Sequence, residues 1–349
     1  MGRRSFTRLL SVLLLNALLL VSFSACSGNN FEISEDGTPL IPQSEDDKMV
    51  VLTIEDYEIT YDVYRYFFLK FKEQYDQGDD SVWTDPEIGK EITEAHAETV
   101  LDAIKGIVAI QKLGERSGFS MESDVIKNAV VSGVYELFAA SDYNVSEYIR
   151  TLEEEYLNDH AFRYITAINE MESRAFLLSG ERGIVDLNED TVMSSIMNDD
   201  EFACVKQIFV RKDDDGDDTA ERIKAEELMA RIDKGESFET VMKSFNDDKD
   251  QKNLSDGYYF TRRQYLEEFE EAAFALKVGE VSGVVETEIG FSIIKRLPKD
   301  ESYISRHYSD LKDAYALSKF YDAEDSIKEK LQEPVFGDAY SIIKVTNIK

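Results

Sequence analysis

Phe269-Glu-Glu-Ala-Ala-Phe-Ala-Leu-Lys-Val-Gly-Glu-Val-Ser282 decides the architecture of the C-terminal half of this chain. Its first eight residues read as a short amphipathic helix, with Phe269 and Phe274 on the apolar side, and the glycine that follows marks a turn. Outward from it the pattern alternates. Phe202 to Val210 is a β-rich apolar run that predicts a strand, and Thr219 to Ile232 follows as an amphipathic helix after an acidic loop. Phe238 to Phe245 predicts another short helix, and Gly290 to Leu297 a closing strand. The expected class is α+β.

Further out on both sides the pattern turns helical. Tyr61 to Tyr75 places Val63, Tyr64, Phe67, Phe68 and Phe71 at helical spacing, which reads as a core face; an exposed face of this kind would bind unfolded clients. Pro86 to Arg116, Met121 to Ala140, Ser146 to Leu157, His160 to Leu178 and Asn188 to Met197 continue as helices, with no strand expected between 61 and 197. Met49 to Thr60 reads as a hairpin leading into the first helix. Beyond the mixed region, Tyr303 to Leu331 predicts one long helix stopped by Pro334, and Tyr340 to Asn347 a strand returning to Val50–Ile54.

The N-terminus carries its own signal. Arg3, Arg4 and Arg8 precede an apolar run, Leu9 to Val21, which is short for a bilayer span, and Ser24-Ala25-Cys26 supplies small residues before a cysteine. This is the layout of a secretory signal. Residues 27–48 are polar and acidic with little to bury, so they are expected to form a tether.

The 349 residues carry a formal charge of −32, which becomes −35 once the three arginines of the leader are lost. Such a chain is repelled by nucleic acid and by anionic membrane surfaces. With Cys26 assigned to the leader, Cys204 has no disulfide partner and reads as a small buried residue. The acidic loop Asp213–Asp218 misses the calcium-loop register, because with Gly216 at its sixth position Arg211 and Arg222 fall on ligand positions. His96, His160 and His307 have no metal-ligand spacing. No metal and no cofactor are expected.

Four stretches in order give the mixed region a family. Val205-Lys-Gln-Ile-Phe-Val210, Asp233-Lys-Gly-Glu-Ser-Phe238, the Phe269–Ser282 run and Thr287-Glu-Ile-Gly-Phe-Ser-Ile-Ile-Lys295 together resemble a parvulin, or PpiC-type rotamase, domain. The leader resembles that of bacterial lipoproteins, in which Cys26 is lipidated, although Phe23 stands where leucine is usual. With the helical region the whole resembles the PrsA-type foldase lipoproteins, and the helical part distantly resembles the SurA chaperone module.

The resemblance implies a small antiparallel sheet surrounded by helices, inserted in a mainly helical module. It divides the chain into a leader at 1–25, a tether at 26–48, a helical domain at 49–200, a rotamase-like domain at 201–299, and at 300–349 a C-terminal helix and strand that return to the helical module. It also implies peptidyl-prolyl isomerisation of exported polypeptides, on the outer face of a membrane held by the lipid. Family positions fall on Gln207, Asp248, Thr287 and Ser292 for catalysis, and on Phe260, Tyr265 and Phe269 for the proline pocket. Gln207 and Ser292 replace the two family histidines, so isomerase activity is expected to be weak or lost, with a hydrogen bond between them as the surviving feature. Two other readings stand beside it, a non-catalytic holdase and an envelope scaffold lipoprotein. A homodimer through an apolar helical face is left open.

Overall fold

The computed structural model describes residues 32–213, 216–248 and 256–343, with the side chains of 341 and 342 excepted. The leader and Cys26 lie outside them. The fold is α+β, and the described chain forms two compact units, one of residues 183–321 and the other of residues up to 182 together with 322 onward. The divisions thus fall at 182 and 321, where the sequence placed them at 200 and 299.

The discontinuous unit opens with a hairpin, β1 (Val50–Ile54) and β2 (Tyr57–Thr60), followed by α1 (Tyr61–Asp76), α2 (Gly89–Arg116), α3 (Asp124–Ala140), α4 (Val145–Glu154) and α5 (Asp159–Leu177). Asn144 and Asn158 start α4 and α5 by accepting from backbone N–H groups of the first turn. Val63, Tyr64, Phe67, Phe68 and Phe71 are all buried, so the aromatic face of α1 is core and unavailable to clients. It packs against α2 and α5, whose Val100, Ile104, Ile107, Ile165 and Ile168 are buried as well. Each such side chain contributes about 1.5–3 kcal/mol on burial. His96 is enclosed by the rings of Phe68, Tyr75 and Trp83 and donates from Nε2 to the Phe68 carbonyl, so burial holds it below the ordinary histidine range as a neutral core residue.

Two expectations for this unit need correction. From residue 32 onward the tether is folded: Ile33 bridges Pro39, the Pro39 carbonyl accepts from Arg163 (3.2 Å), and Gln43 Nε2 donates to Asp62 (2.9 Å). A polar segment with little to bury is held by a donor, Arg163, and an acceptor, Asp62, that it meets elsewhere in the unit. The strand returning to β1 is β7 (Val335–Phe336), directly after Pro334, and 338–342 is a short helix, α12 (Asp338–Ile342). Two residues pair too briefly to leave a period in the sequence.

The other unit begins with α6 (Glu189–Met197) and β3 (Phe202–Arg211), and continues through α7 (Thr219–Asp233), α8 (Phe238–Phe245), β4 (Tyr258–Thr261), α9 (Glu267–Ala275), β5 (Val281–Thr287) and β6 (Gly290–Arg296). The sheet is antiparallel throughout, in the order β4-β3-β6-β5. Alternation along the strands divides it cleanly. Ile208, Val210, Phe291 and Ile293 pack under α7 and α8, whereas Ala203, Val205, Phe260 and Ile294 pack with α9. The long helix expected from 303 is interrupted at His307, giving α10 (Glu301–Arg306) and α11 (Tyr308–Lys328). Among the described residues, no helix is long and apolar enough to cross a membrane.

Candidate functional site

Gln207 pairs with Ile294 and Phe209 with Ser292, so Gln207 and Ser292 are diagonal neighbours on the α9 face of the sheet. Their side chains meet: Ser292 Oγ donates to Gln207 Oε1 at 3.0 Å. The same amide donates from Nε2 to Asp248 Oδ2, also at 3.0 Å. Glutamine can do both because its head group is acceptor at one atom and donor at the other. The chain Ser292–Gln207–Asp248 is therefore continuous, and Tyr258 OH adds a second donor to Asp248 Oδ2 at 3.0 Å.

Asp248 reaches this position because of its neighbour Asn246. Strand β4 pairs with β3 only as far as Val205, which leaves the backbone at 207–209 with an unpaired edge. Asn246, 1% exposed, fills it: its Nδ2 donates to the Gln207 carbonyl (3.0 Å) and its Oδ1 accepts from Phe209 N–H (2.7 Å). Asp247 N–H then donates to the Phe209 carbonyl, and Asp248 N–H donates to Asn246 Oδ1. The segment after α8 thus runs as a substitute strand, and it carries the carboxylate onto the polar chain.

The aromatic residues form the adjoining half. Phe260 (1% exposed) and Phe269 (5%) make a floor with ring centroids 5.9 Å apart. Tyr265 lies against both, at 4.8 and 5.3 Å, and is 41% exposed. Partial burial, with the nearby Asp248 charge, pushes its phenol above the ordinary range. Phe274 lies 5.6 Å from Phe260 and is half-buried against the same core. Gly257, just before Tyr258, has φ +79°, and a Cβ there would meet the Val205 carbonyl at 2.8 Å; only glycine lets β4 enter at this angle. Thr287 is placed differently from the other candidates. Its hydroxyl donates to the Gly290 carbonyl (2.9 Å) and closes the β5–β6 turn.

Cys204 is fully buried, and burial pushes its thiol up to about 11, which keeps it out of thiolate chemistry. Among the described residues no group of histidine, cysteine and acidic side chains could hold a metal ion. Two residues of the site are not singled out by the sequence: Asn246 and Tyr258. An aromatic residue directly after a glycine in a strand is the available signal for the second.

A small antiparallel sheet flanked by helices, with an aromatic cluster beside a polar chain, is the frame of a parvulin-type domain, and residues 207–297 match the family model of the PPIC-type PPIase, or rotamase, domain. Relatives of known name point in one direction. The foldase protein PrsA of Geobacillus kaustophilus (strain HTA426) is 38% identical over 94 residues, which are 27% of this chain and 32% of that protein. The foldase protein PrsA of Bacillus subtilis (strain 168) is 38% identical over 85 residues, 24% of this chain and 29% of the relative. The chain thus matches about a third of the length of these relatives. Among solved structures, PrsA from Bacillus anthracis aligns with 65% of this chain and 96% of its own, at 19% identity and a TM-score of 0.33.

Proposed function

We propose that this chain is a membrane-anchored, extracytoplasmic folding factor that takes exported polypeptides at X-Pro bonds. The observation that carries the reading is the unbroken hydrogen-bond chain Ser292–Gln207–Asp248 beside the Phe260–Phe269–Tyr265 cup. Rotation about an X-Pro bond crosses a barrier of about 18–20 kcal/mol without breaking a bond, so an enzyme has only to favour the twisted amide. The cup seats the proline ring. The polar chain lies alongside, where Gln207 and Tyr258 keep the carboxylate fixed beside the substrate. Neither Gln207 nor Ser292 can become a cation as histidine can, so electrostatic help is smaller and turnover is slow. Lipid at Cys26 would hold the protein at the membrane, and the resemblance to PrsA foldases supports exported chains as clients.

A holdase built on the same domain is the second reading, favoured by the loss of both family histidines at 207 and 292. Cis/trans exchange of an Ala-Pro peptide, followed by NMR with residues 27–349, separates the two. Acceleration that disappears in Phe269→Ala supports the isomerase; a folded protein with no acceleration moves the assignment to the holdase.

A further inference from the structure

Glu270 lies on α9 one residue beyond Phe269 and is 7% exposed. Its carboxylate faces back past the start of the helix. There Oε2 accepts from Arg263 N–H at 2.7 Å, and Oε1 accepts from Gln264 N–H at 2.6 Å and Tyr265 N–H at 2.8 Å. Three successive backbone donors converging on one carboxylate make a closed anion nest, and the N-terminal end of a helix favours the same charge. Arg263 holds φ +73°, a left-handed conformation that a non-glycine residue keeps only where its surroundings enforce it. Gln264 closes the turn from the other side, its Oε1 accepting from Thr261 N–H at 2.8 Å. Leu266 at the N-cap has no side-chain oxygen to fix the helix start, so the nest is the local restraint on this turn.

We propose that Glu270 is a positioning residue for the proline cup: by gathering the 263–265 amides it fixes the backbone of Tyr265 and so holds that ring over Phe260 and Phe269. The inference rests on reading the cup as the seat of a proline ring. It adds that the exposed wall of the cup is fixed in advance by a carboxylate that never touches substrate. A wall ordered beforehand does not lose its freedom when the peptide arrives, so affinity depends on the nest. Glutamine at 270 keeps size and shape but turns an N–H₂ group toward backbone donors.

Two measurements on the full chain test this. Amide hydrogen exchange in Glu270→Gln is expected to speed up about tenfold at Arg263, Gln264 and Tyr265 while β3 stays protected. Affinity for an Ala-Pro peptide, by NMR titration, is expected to fall about fivefold in Glu270→Gln and not to fall further when the change is made in a Tyr265→Ala chain. Unchanged exchange at the three amides overturns the proposal, as does an equal affinity loss in both backgrounds. If β3 loses protection too, Glu270→Asp, which keeps the charge and shortens the reach, provides the same comparison. Should the unsubstituted chain bind no proline peptide, the proline reading fails, and exchange at 263–265 still decides whether Glu270 orders Tyr265.

Discussion

Each unit holds a carboxylate in a ring of donors, and among the described residues one of the two rings includes a histidine. Asp62, 1% exposed at the start of α1, accepts from Gln43, Asn158 and His160 on Oδ2, and from the Thr60 hydroxyl and Val63 N–H on Oδ1. Asp248 accepts from Gln207 and Tyr258. The first ring contains a histidine and the second does not, although the second is where the rotamase family places a pair of them. The Asp62 ring ties folded segments together and gains from a charged partner. The Asp248 ring gathers two neutral donors, the Gln207 amide and the Tyr258 hydroxyl. A hydrogen-bonded chain can therefore cross this sheet with glutamine and serine in the two positions.

The largest expected effect comes from removing the buried hub. Asp62→Ala leaves His160, Asn158 and Gln43 without their common acceptor, and should destabilise the helical unit by about 3–5 kcal/mol. Trp83, the single tryptophan, lies in that unit, so its fluorescence in urea reads this change specifically. A loss below about 1 kcal/mol would break the comparison, because the ring would then be ornamental.

The corresponding cut in the other unit is Gln207→Ala. It strands the Ser292 hydroxyl, which is 2% exposed, and frees Asp248 from one donor. The expected cost is about 1–3 kcal/mol for that unit, with no shift in the Trp83 transition. Circular dichroism melts alongside tryptophan fluorescence would show the two transitions separating. Smaller still is Tyr258→Phe, which removes one hydrogen bond to Asp248 and should cost about 1 kcal/mol while weakening proline-peptide turnover, measured by NMR exchange.

The last and smallest effect is with pH, and its sign follows from the ring that owns a histidine. The hydrogen bond to Asp62 raises His160 above its ordinary value. Burial alone would raise Asp62, but the hydrogen bonds from His160 and Thr60 outweigh it and hold that carboxyl below the ordinary range. The stability that His160 contributes is fully present below about pH 6.5 and is lost as pH rises through the raised value. The stability that Asp62 contributes is present above about pH 4 and is lost as pH falls through the lowered one. The helical unit should thus be most stable between these limits and weaken as pH rises through the raised His160 value, and His160→Gln should flatten the trend in urea titrations. Proline-peptide turnover should stay level between pH 6 and 8, since no histidine belongs to its network. A bell-shaped profile in that interval would contradict the comparison.

What could be read from the sequence follows the physics of each signal. Helices α1 to α9 announce themselves through apolar spacing, and the structure adds Asn144, Asn158 and Ser237 as the caps of α4, α5 and α8. Strands β4 and β5 do not. Val281-Ser-Gly-Val-Val-Glu-Thr287 has no clean alternation because its pairing slips between Val281 and Val284, and β4 is only four residues long. Gln207, Ser292, Asp248, Phe260, Phe269 and Tyr265 were placed by resemblance to motifs, and the structure brings all six to one face. Tyr258 and Glu270 escaped because their roles depend on a hydrogen bond to Asp248 and on a turn of backbone amides, neither of which leaves a period in the chain.

Asn246 carries a consequence for how a client can be gripped. Many peptide-binding proteins recognise extended chains by zipping them onto an open sheet edge, which pins every second amide of the guest. Along the 207–209 edge of β3 that route is shut, because the residues following α8 already occupy it. On the proposed reading, a guest beside this edge is gripped through a side chain and not by main-chain pairing with residues 207–209. Its peptide bonds stay slack, and a slack peptide bond is one that can still turn.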